Sequence, residues 1–310
     1  MKKISLLINQ IYDIEIGVRN HINTHRFQKD LISNINLWSQ ICSSLDVIGD
    51  TLLSIEGYLE ENFPSIEGLK YIYIYGLLQS LFIQQDAMRN LSEAFSIEYE
   101  ISVKLKSIRE IRNSAIGHPT KNNINKKFYY NHISRPSLSK ESFTLLKYSE
   151  DNTDIINVNI YEILFEQLDE ICNKYKKILE ILREEEKNHI NKYKDNKLED
   201  IFDSSMFYKF EKINSAITSN NSGDKEFGLS MLTSVNGIYI KFKKALEKRN
   251  ELTDELLFEL NEYFYAIEKL SVYIQEGKQY DAYINLYYIR EKTKYFMNYA
   301  KEIDVEYSEK

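Results

Sequence analysis

The chain is expected to be mainly all-α, with one small β-rich insertion between helical regions. Three observations predict this. Its 310 residues contain only three prolines and ten glycines, so few points break a helix. Apolar residues recur at steps of three and four over most of the length. Between about residues 126 and 158 that step is lost, and short Ile-, Tyr-, Thr- and Phe-bearing runs are separated by Ser, Pro, Asn and Asp. An apolar fraction of 43% is ordinary for a globular chain, and this length is enough for two cores.

Taken in order, residues 1–30 read as a mixed N-terminal segment with a short apolar helix near Ile4–Ile16. From about Leu31 a helix is marked by Ile35, Trp38, Ile41, Leu45, Ile48, Leu52, Ile55 and Leu59, and Asn62, Phe63 and Pro64 end it. Ser65 is placed to cap the next helix, with Glu67 in its first turn. That helix runs from about Ile66 to Phe95 and is apolar on nearly every side, as expected of the most buried member of a bundle. Gln79, Gln84, Gln85 and Asp86 are polar interruptions late in it. The following helix spans about Ile97 to Gly117. KKFYYNHISRP, ESFTLLKYSE and DIINVNI then predict an inserted hairpin or small sheet. Helical periodicity returns at about Val158 and continues through Leu168, Ile171, Tyr175 and Leu182. It becomes charged at REEEKNHINKYKDNK, a solvated helix or linker over 183–197. Helices are expected at about 199–218, 226–250, 253–275 and 279–304. The predicted division is a segment over 1–30, a helical domain over 31–197 carrying the insertion at about 126–158, and a second helical domain over 198–310.

Several classes are disfavoured. No run of about 18 uncharged apolar residues predicts a membrane span. The N-terminus lacks the long apolar core and small-residue cleavage site of a signal peptide. Cys42 and Cys172, the two cysteines, lie in helical apolar patterns that suit reduced thiols in a cytoplasmic protein, and they are too few for a structural zinc site. With no glycine-rich phosphate loop and no metal-ligand cluster, neither cofactor nor metal is expected. The net charge of −7 is unevenly spread: residues 101–149 hold ten basic and two acidic side chains, a local +8, which leaves −15 for the remainder. A basic patch on an acidic chain is a better guide to phosphate contact than the total.

Within that patch lies SIREIRNSAIGHPT, residues 107–120. Ile108, Ile111 and Ile116 face one way, Gly117 is a helix-stop residue, and Pro119 biases His118 away from helical geometry. On an unbroken helix, residues six apart would differ by about 120° around the axis and about 9 Å along it. Arg112 and His118 therefore converge only if the helix breaks before the histidine. The spacing itself is common here, since Arg19–His25 and Arg183–His189 share it. Arg183–His189 is filled with glutamates that would repel phosphate. Arg19–His25 lies in a polar stretch with Gly17, Asn20, Asn23 and Thr24. Only Arg112–His118 combines an amphipathic helix, an apolar partner helix and the basic segment.

RNSAIGH, from Arg112 to His118, resembles the Arg-x4–6-His signature of HEPN domains, with Asn113 as the polar residue that often follows the arginine. The resemblance covers about residues 31–195 and implies a HEPN-like up-down helical bundle with the motif late on a core helix. It implies a metal-independent ribonuclease of the kind found in toxin–antitoxin, abortive-infection and RNA-targeting defence systems. A non-catalytic HEPN-like RNA-binding or protein-interaction module is the alternative. The chemistry is consistent with the residues. When a 2′-hydroxyl attacks the adjacent phosphate, a base must take its proton, an acid must supply the leaving 5′ oxygen, and a cation must stabilise the phosphorane. An imidazole, ordinarily titrating near ~6.5, serves as base or acid. Arginine presents paired donors to phosphate oxygens. Arg112, Asn113 and His118 are thus the expected catalytic residues, with Asn113 orienting the imidazole or binding ribose and Asp86 as a partner of Arg112. Lys104, Arg109, Lys121, Lys126, Lys127 and Arg135 are expected to bind RNA. One copy supplies one histidine, so a homodimer with a composite site is expected. An antitoxin protein is a further expected partner.

Overall fold

In a computed structural model, which describes residues 2–124, 127–150 and 152–309, the chain is mostly helical with one four-stranded antiparallel sheet. It divides into two units, Met1–Asn23 with Asp30–Leu182, and Thr24–Lys29 with Arg183–Lys310. Each has its own apolar cluster.

The first unit begins with α1 (Lys2–Asn23), longer than the predicted Ile4–Ile16. Ile4, Ile8, Ile11, Ile14, Val18 and Ile22 repeat at helical steps and are all buried, so residues 2–23 belong to this core rather than to a separate segment. After α2 (His25–Ser33), the helix read from Leu31 instead starts afresh as α3 (Ile35–Glu60). Asn34 caps it, its side chain accepting from the Leu37 N–H. Ile41, Leu45, Ile48, Leu52 and Ile55 are fully buried, as their spacing implies, while Ile35 stays exposed. α4 (Glu67–Ala94) lies against α3 and buries Leu77, Leu78, Leu81, Met88 and Leu91. Each such side chain contributes about 1.5–3 kcal/mol by leaving water. Ser65 does not cap α4; Ile66 occupies the cap position without a side-chain bond.

α5 (Val103–Arg112) starts six residues later than Ile97, because Ser96 takes a positive φ of 56° and Ser102 caps the helix at Leu105 N–H. Beyond it, β1 (Asn122–Ile124), β2 (Lys127–Ile133), β3 (Ser142–Tyr148) and β4 (Thr153–Asn159) pair in chain order as an antiparallel meander. Phe143, Leu145 and Val158 bury one face of this sheet in the first core. Lys140, in the turn before β3, donates to the carbonyls of Leu59 and Glu61 at 2.7 Å, satisfying the open end of α3. α6 (Ile160–Tyr193) is one continuous helix, its residues to 182 belonging to the first unit and those from 183 to the second. Cys172 is buried in it, whereas Cys42 is only half-buried.

The second unit contains α7 (Met206–Thr218), α8 (Ser222–Lys248), α9 (Asp254–Glu276) and α10 (Gln279–Glu309). Its tyrosines are partly structural: Tyr263 is buried edge-on to Phe296 and shares a 2.8 Å hydrogen bond with Thr293. Gly277, at φ +70°, ends α9 in the left-handed conformation. No helix among the described residues is long and apolar enough to cross a membrane.

Candidate active site

The motif is built at the end of α5. The helix does not stop at Arg112 but widens by one residue per turn through Asn113–Gly117, closing with the His118 N–H donating 2.7 Å to the carbonyl of Asn113, five residues back. Such a bulge redirects the chain, and it is frequent at functional sites. His118 then leaves helical geometry at φ −137°, ψ 53°. Gly117 is not in the left-handed conformation that its place at a helix end suggests, because φ is positive at Gly277 alone among the described glycines. Its reason is proximity: a Cβ there would lie 2.9 Å from a terminal nitrogen of Arg112 and 3.4 Å from the Asn113 Oδ1. The guanidinium therefore folds along the bulge to the residue before His118.

Arg112 is fixed by neutral partners. Its Nε and one terminal nitrogen donate to Gln79 Oε1 at 3.1 and 2.7 Å, and the other donates to Asn113 Oδ1 at 3.0 Å. Its guanidinium carbon lies 4.3 Å from the centre of the Phe82 ring. No carboxylate pairs with it among the described residues. Arg109, one turn earlier, lies 4.1 Å from the same ring but donates 2.9 Å to Asp86. Asp86, expected beside Arg112, thus serves Arg109 instead, with Arg89 at 3.6 Å. The physical reason is register, since residues 109 and 112 are one turn apart on α5 and meet residues 86 and 79, two turns apart on α4. Arg109 is correspondingly not a free cation for RNA.

His118 is exposed, and its ring makes no hydrogen bond among the described residues. Asn113 holds the guanidinium and not this imidazole. The Asn131 N–H of β2 donates 2.6 Å to the Pro119 carbonyl, which ties the sheet to the residue after His118. The Asn131 side chain is 6% exposed, yet neither of its polar atoms has a hydrogen-bond partner.

Beneath the motif, the glutamine interruptions of α4 form its mounting. Gln85 donates to Gln167 of α6 at 2.8 Å and to the Leu105 carbonyl of α5 at 3.2 Å. Gln167 donates to Gln84 and to the Leu81 carbonyl at 3.0 Å. These buried amide bonds tie α4, α5 and α6 into one register, although the Gln84 Nε2 has no hydrogen-bond partner. Gln79 and Phe82, the groups in contact with Arg112, were not legible as site residues. The signal was present, because a glutamine in an apolar helix needs a partner.

No protein-family model, curated protein or solved structure matches this chain.

The remaining basic residues are distributed along the same segment. Lys104 is exposed on α5, Lys121 precedes β1, Lys127 opens β2, and Arg135 is exposed in the turn after it. Lys126 lies outside the described residues. The other two Arg-x5-His pairs are engaged differently. Arg19 is ion-paired with Glu15 and Asp46, both at 2.8 Å. His189 is bonded to the Tyr307 hydroxyl at 2.9 Å.

Proposed function

We propose that the first unit is a HEPN-type, metal-independent endoribonuclease that acts as a toxin or antiphage effector. The observation that carries this reading is the asymmetry within one bulge: a guanidinium held by amide oxygens, with its charge uncompensated and reaching to Gly117, and an exposed, unengaged imidazole on the next residue. A phosphate supplies the missing negative charge, and its neighbouring 2′-hydroxyl supplies the proton for an imidazole to take. The 2′ oxygen attacks phosphorus, the 5′ oxygen leaves with a proton, and the products are a 2′,3′-cyclic phosphate and a 5′-hydroxyl end.

The reaction needs a base and an acid, and we assign them to the His118 residues of two copies facing across a twofold. Support comes from α4, where Leu69, Ile72 and Tyr75 are exposed at helical spacing leading to Gln79, the anchor of Arg112. A second copy covering that stripe would bring its own Arg112 and His118 alongside. A cytoplasmic setting and a cognate antitoxin belong to the same proposal.

The test is direct. Purified chain should cleave single-stranded RNA in EDTA and leave cyclic-phosphate ends, and His118→Ala should abolish this. Unchanged cleavage in His118→Ala rejects the assignment, and RNA binding without cleavage moves the protein to the non-catalytic module.

A further inference from the structure

A count of 24 tyrosines says little about function; their place on the sheet says more. Along β2, Asn131 and Ile133 turn to the buried face, while Phe128, Tyr130 and His132 turn outward. The register sets Tyr148 opposite Tyr130, Leu146 opposite His132, and Ile155 opposite Leu146. One open face therefore gathers three aromatic rings and an imidazole. Phe128 is 42% and Tyr130 47% exposed, and His132 and Tyr148 are stacked with centres 5.4 Å and planes 17° apart. Exposed rings gathered on one face of a small sheet are costly to leave against water, which marks the face as a binding surface.

Charge indicates the occupant. Lys121 holds its ammonium 4.3 Å from the Phe128 ring, and Arg135 is exposed just past the end of β2. Outward positions on β3 and β4 carry Ser142, Thr144, Leu146, Tyr148, Thr153, Ile155, Asn157 and Asn159, with no carboxylate. Asp154 has the other parity and lies opposite Lys147. Flat rings rimmed by cations fit unpaired bases joined by phosphates. A duplex hides its base faces and cannot use such a surface.

We propose that this face is a stacking platform for single-stranded RNA, with bases on Tyr130, Phe128 and the His132–Tyr148 pair and phosphates on Lys121 and Arg135. The choice of RNA over other polyanions rests on the ribonuclease reading. The 2.6 Å bond from Asn131 to Pro119 joins the platform to the motif, so a strand held on β2 is delivered beside His118. The sheet then selects the single-stranded substrate that the helical site cuts.

The test is fluorescence anisotropy of a labelled 12-nucleotide single-stranded RNA with the full chain carrying His118→Ala, so that the RNA stays intact. Tyr130→Ala and Phe128→Ala should each weaken binding roughly 5- to 150-fold, the range of one lost base stack. Tyr130→Phe, which keeps the ring, should bind like the parent and shows that any loss is not unfolding. Lys121→Gln should lower the salt slope by about 0.7. A duplex of the same sequence should bind more weakly than the single strand. Ring variants that bind like the parent, or a duplex that binds as well as the single strand, overturn the platform and leave the face to a protein partner. Cleavage by the native chain is a separate readout. Ring-dependent binding without cleavage keeps the platform and removes the nuclease, whereas cleavage with unaffected ring variants does the reverse.

Discussion

Two arginines in this molecule show how the same side chain can be spent on structure or kept for chemistry. Arg26, in the second unit, is 2% exposed and donates to Glu251 at 2.8 Å, to Glu306 at 2.7 Å and to Glu186 at 3.4 Å, with the rings of Phe27 and Tyr307 within 6 Å. Arg112, in the first unit, meets two amide oxygens and one ring. Burial works against the charge of Arg26, but the carboxylates of Glu306 and Glu251 outweigh it and hold the guanidinium even more firmly in the charged form, its charge balanced by theirs. Arg112 is oriented as firmly but not neutralised. The difference lies in the partner atoms and not in the degree of order. An amide oxygen fixes direction without cancelling charge, which is what an anion site requires.

Substitution separates the two most sharply at the level of rate. Under the ribonuclease reading, Arg112→Ala and His118→Ala should each lower RNA cleavage by about 10²–10⁴-fold with little change in melting temperature. Arg109→Ala, which removes a group already paired with Asp86, should cost far less rate than Arg112→Ala. Single-turnover cleavage beside calorimetry measures both, and equal rate losses at 109 and 112 would break the contrast. Arg26→Ala should do the opposite. It leaves the buried carboxylate of Glu251 without its cation, at a cost of about 3–5 kcal/mol. Denaturant unfolding of the full chain should show the loss, and an unchanged midpoint would mean that the cluster contributes nothing net.

Most of the helical frame was legible because its signal is local. Ile41, Leu45, Ile48 and Leu52 repeat at the helical step, and the fold obeys that step. The loss of periodicity after residue 126 likewise marked the sheet, apart from the three-residue β1, which is too short to show a pattern. What was not legible depends on long-range register. Asp86 and Gln79 lie on the same helix, and only the packing of α5 against α4 decides that Arg112 meets the amide and Arg109 the carboxylate. The division between units was equally hidden, since α1 carries the same Ile spacing whether it joins a core or stands apart. At Gly117 the residue type was informative but the explanation was not, for the glycine there serves a neighbouring guanidinium and not a left-handed turn.

That glycine offers a finer separation of order from charge. Gly117→Ala adds a methyl group 2.9 Å from a flexible terminal nitrogen of Arg112, which can give way. Alanine is favoured over glycine at a helical position by about 0.5–1 kcal/mol. The variant should therefore be as stable as the parent or more so, while cleavage falls about tenfold as the guanidinium is displaced, in line with the steep cost of misplacing a catalytic group. Stability and activity moving together would show that Gly117 supports the fold and not the site.

The smallest effect belongs to His189, beside Arg26. Its pKa is lowered, first by burial and next by the Arg26 charge, with Lys192 adding to the effect and Glu251 opposing it. Tyr307, bonded to its ring, stays protonated because burial and Glu251 raise the phenol. The unfolded chain takes up the His189 proton near the ordinary value of ~6.5, before the folded chain does. This group's contribution to stability is thus complete above that pH, declines as pH falls below it, and levels off once the folded-state pKa is passed. Melting curves between pH 7.5 and 5 should show that decline, and His189→Gln should make it shallower. In Arg26→Met the repelling charge is gone, so the folded-state pKa should rise towards the ordinary value and the window should narrow. A window unmoved by Arg26→Met would assign the shift to burial alone, and the cluster around Arg26 would then be a set of independent pairs.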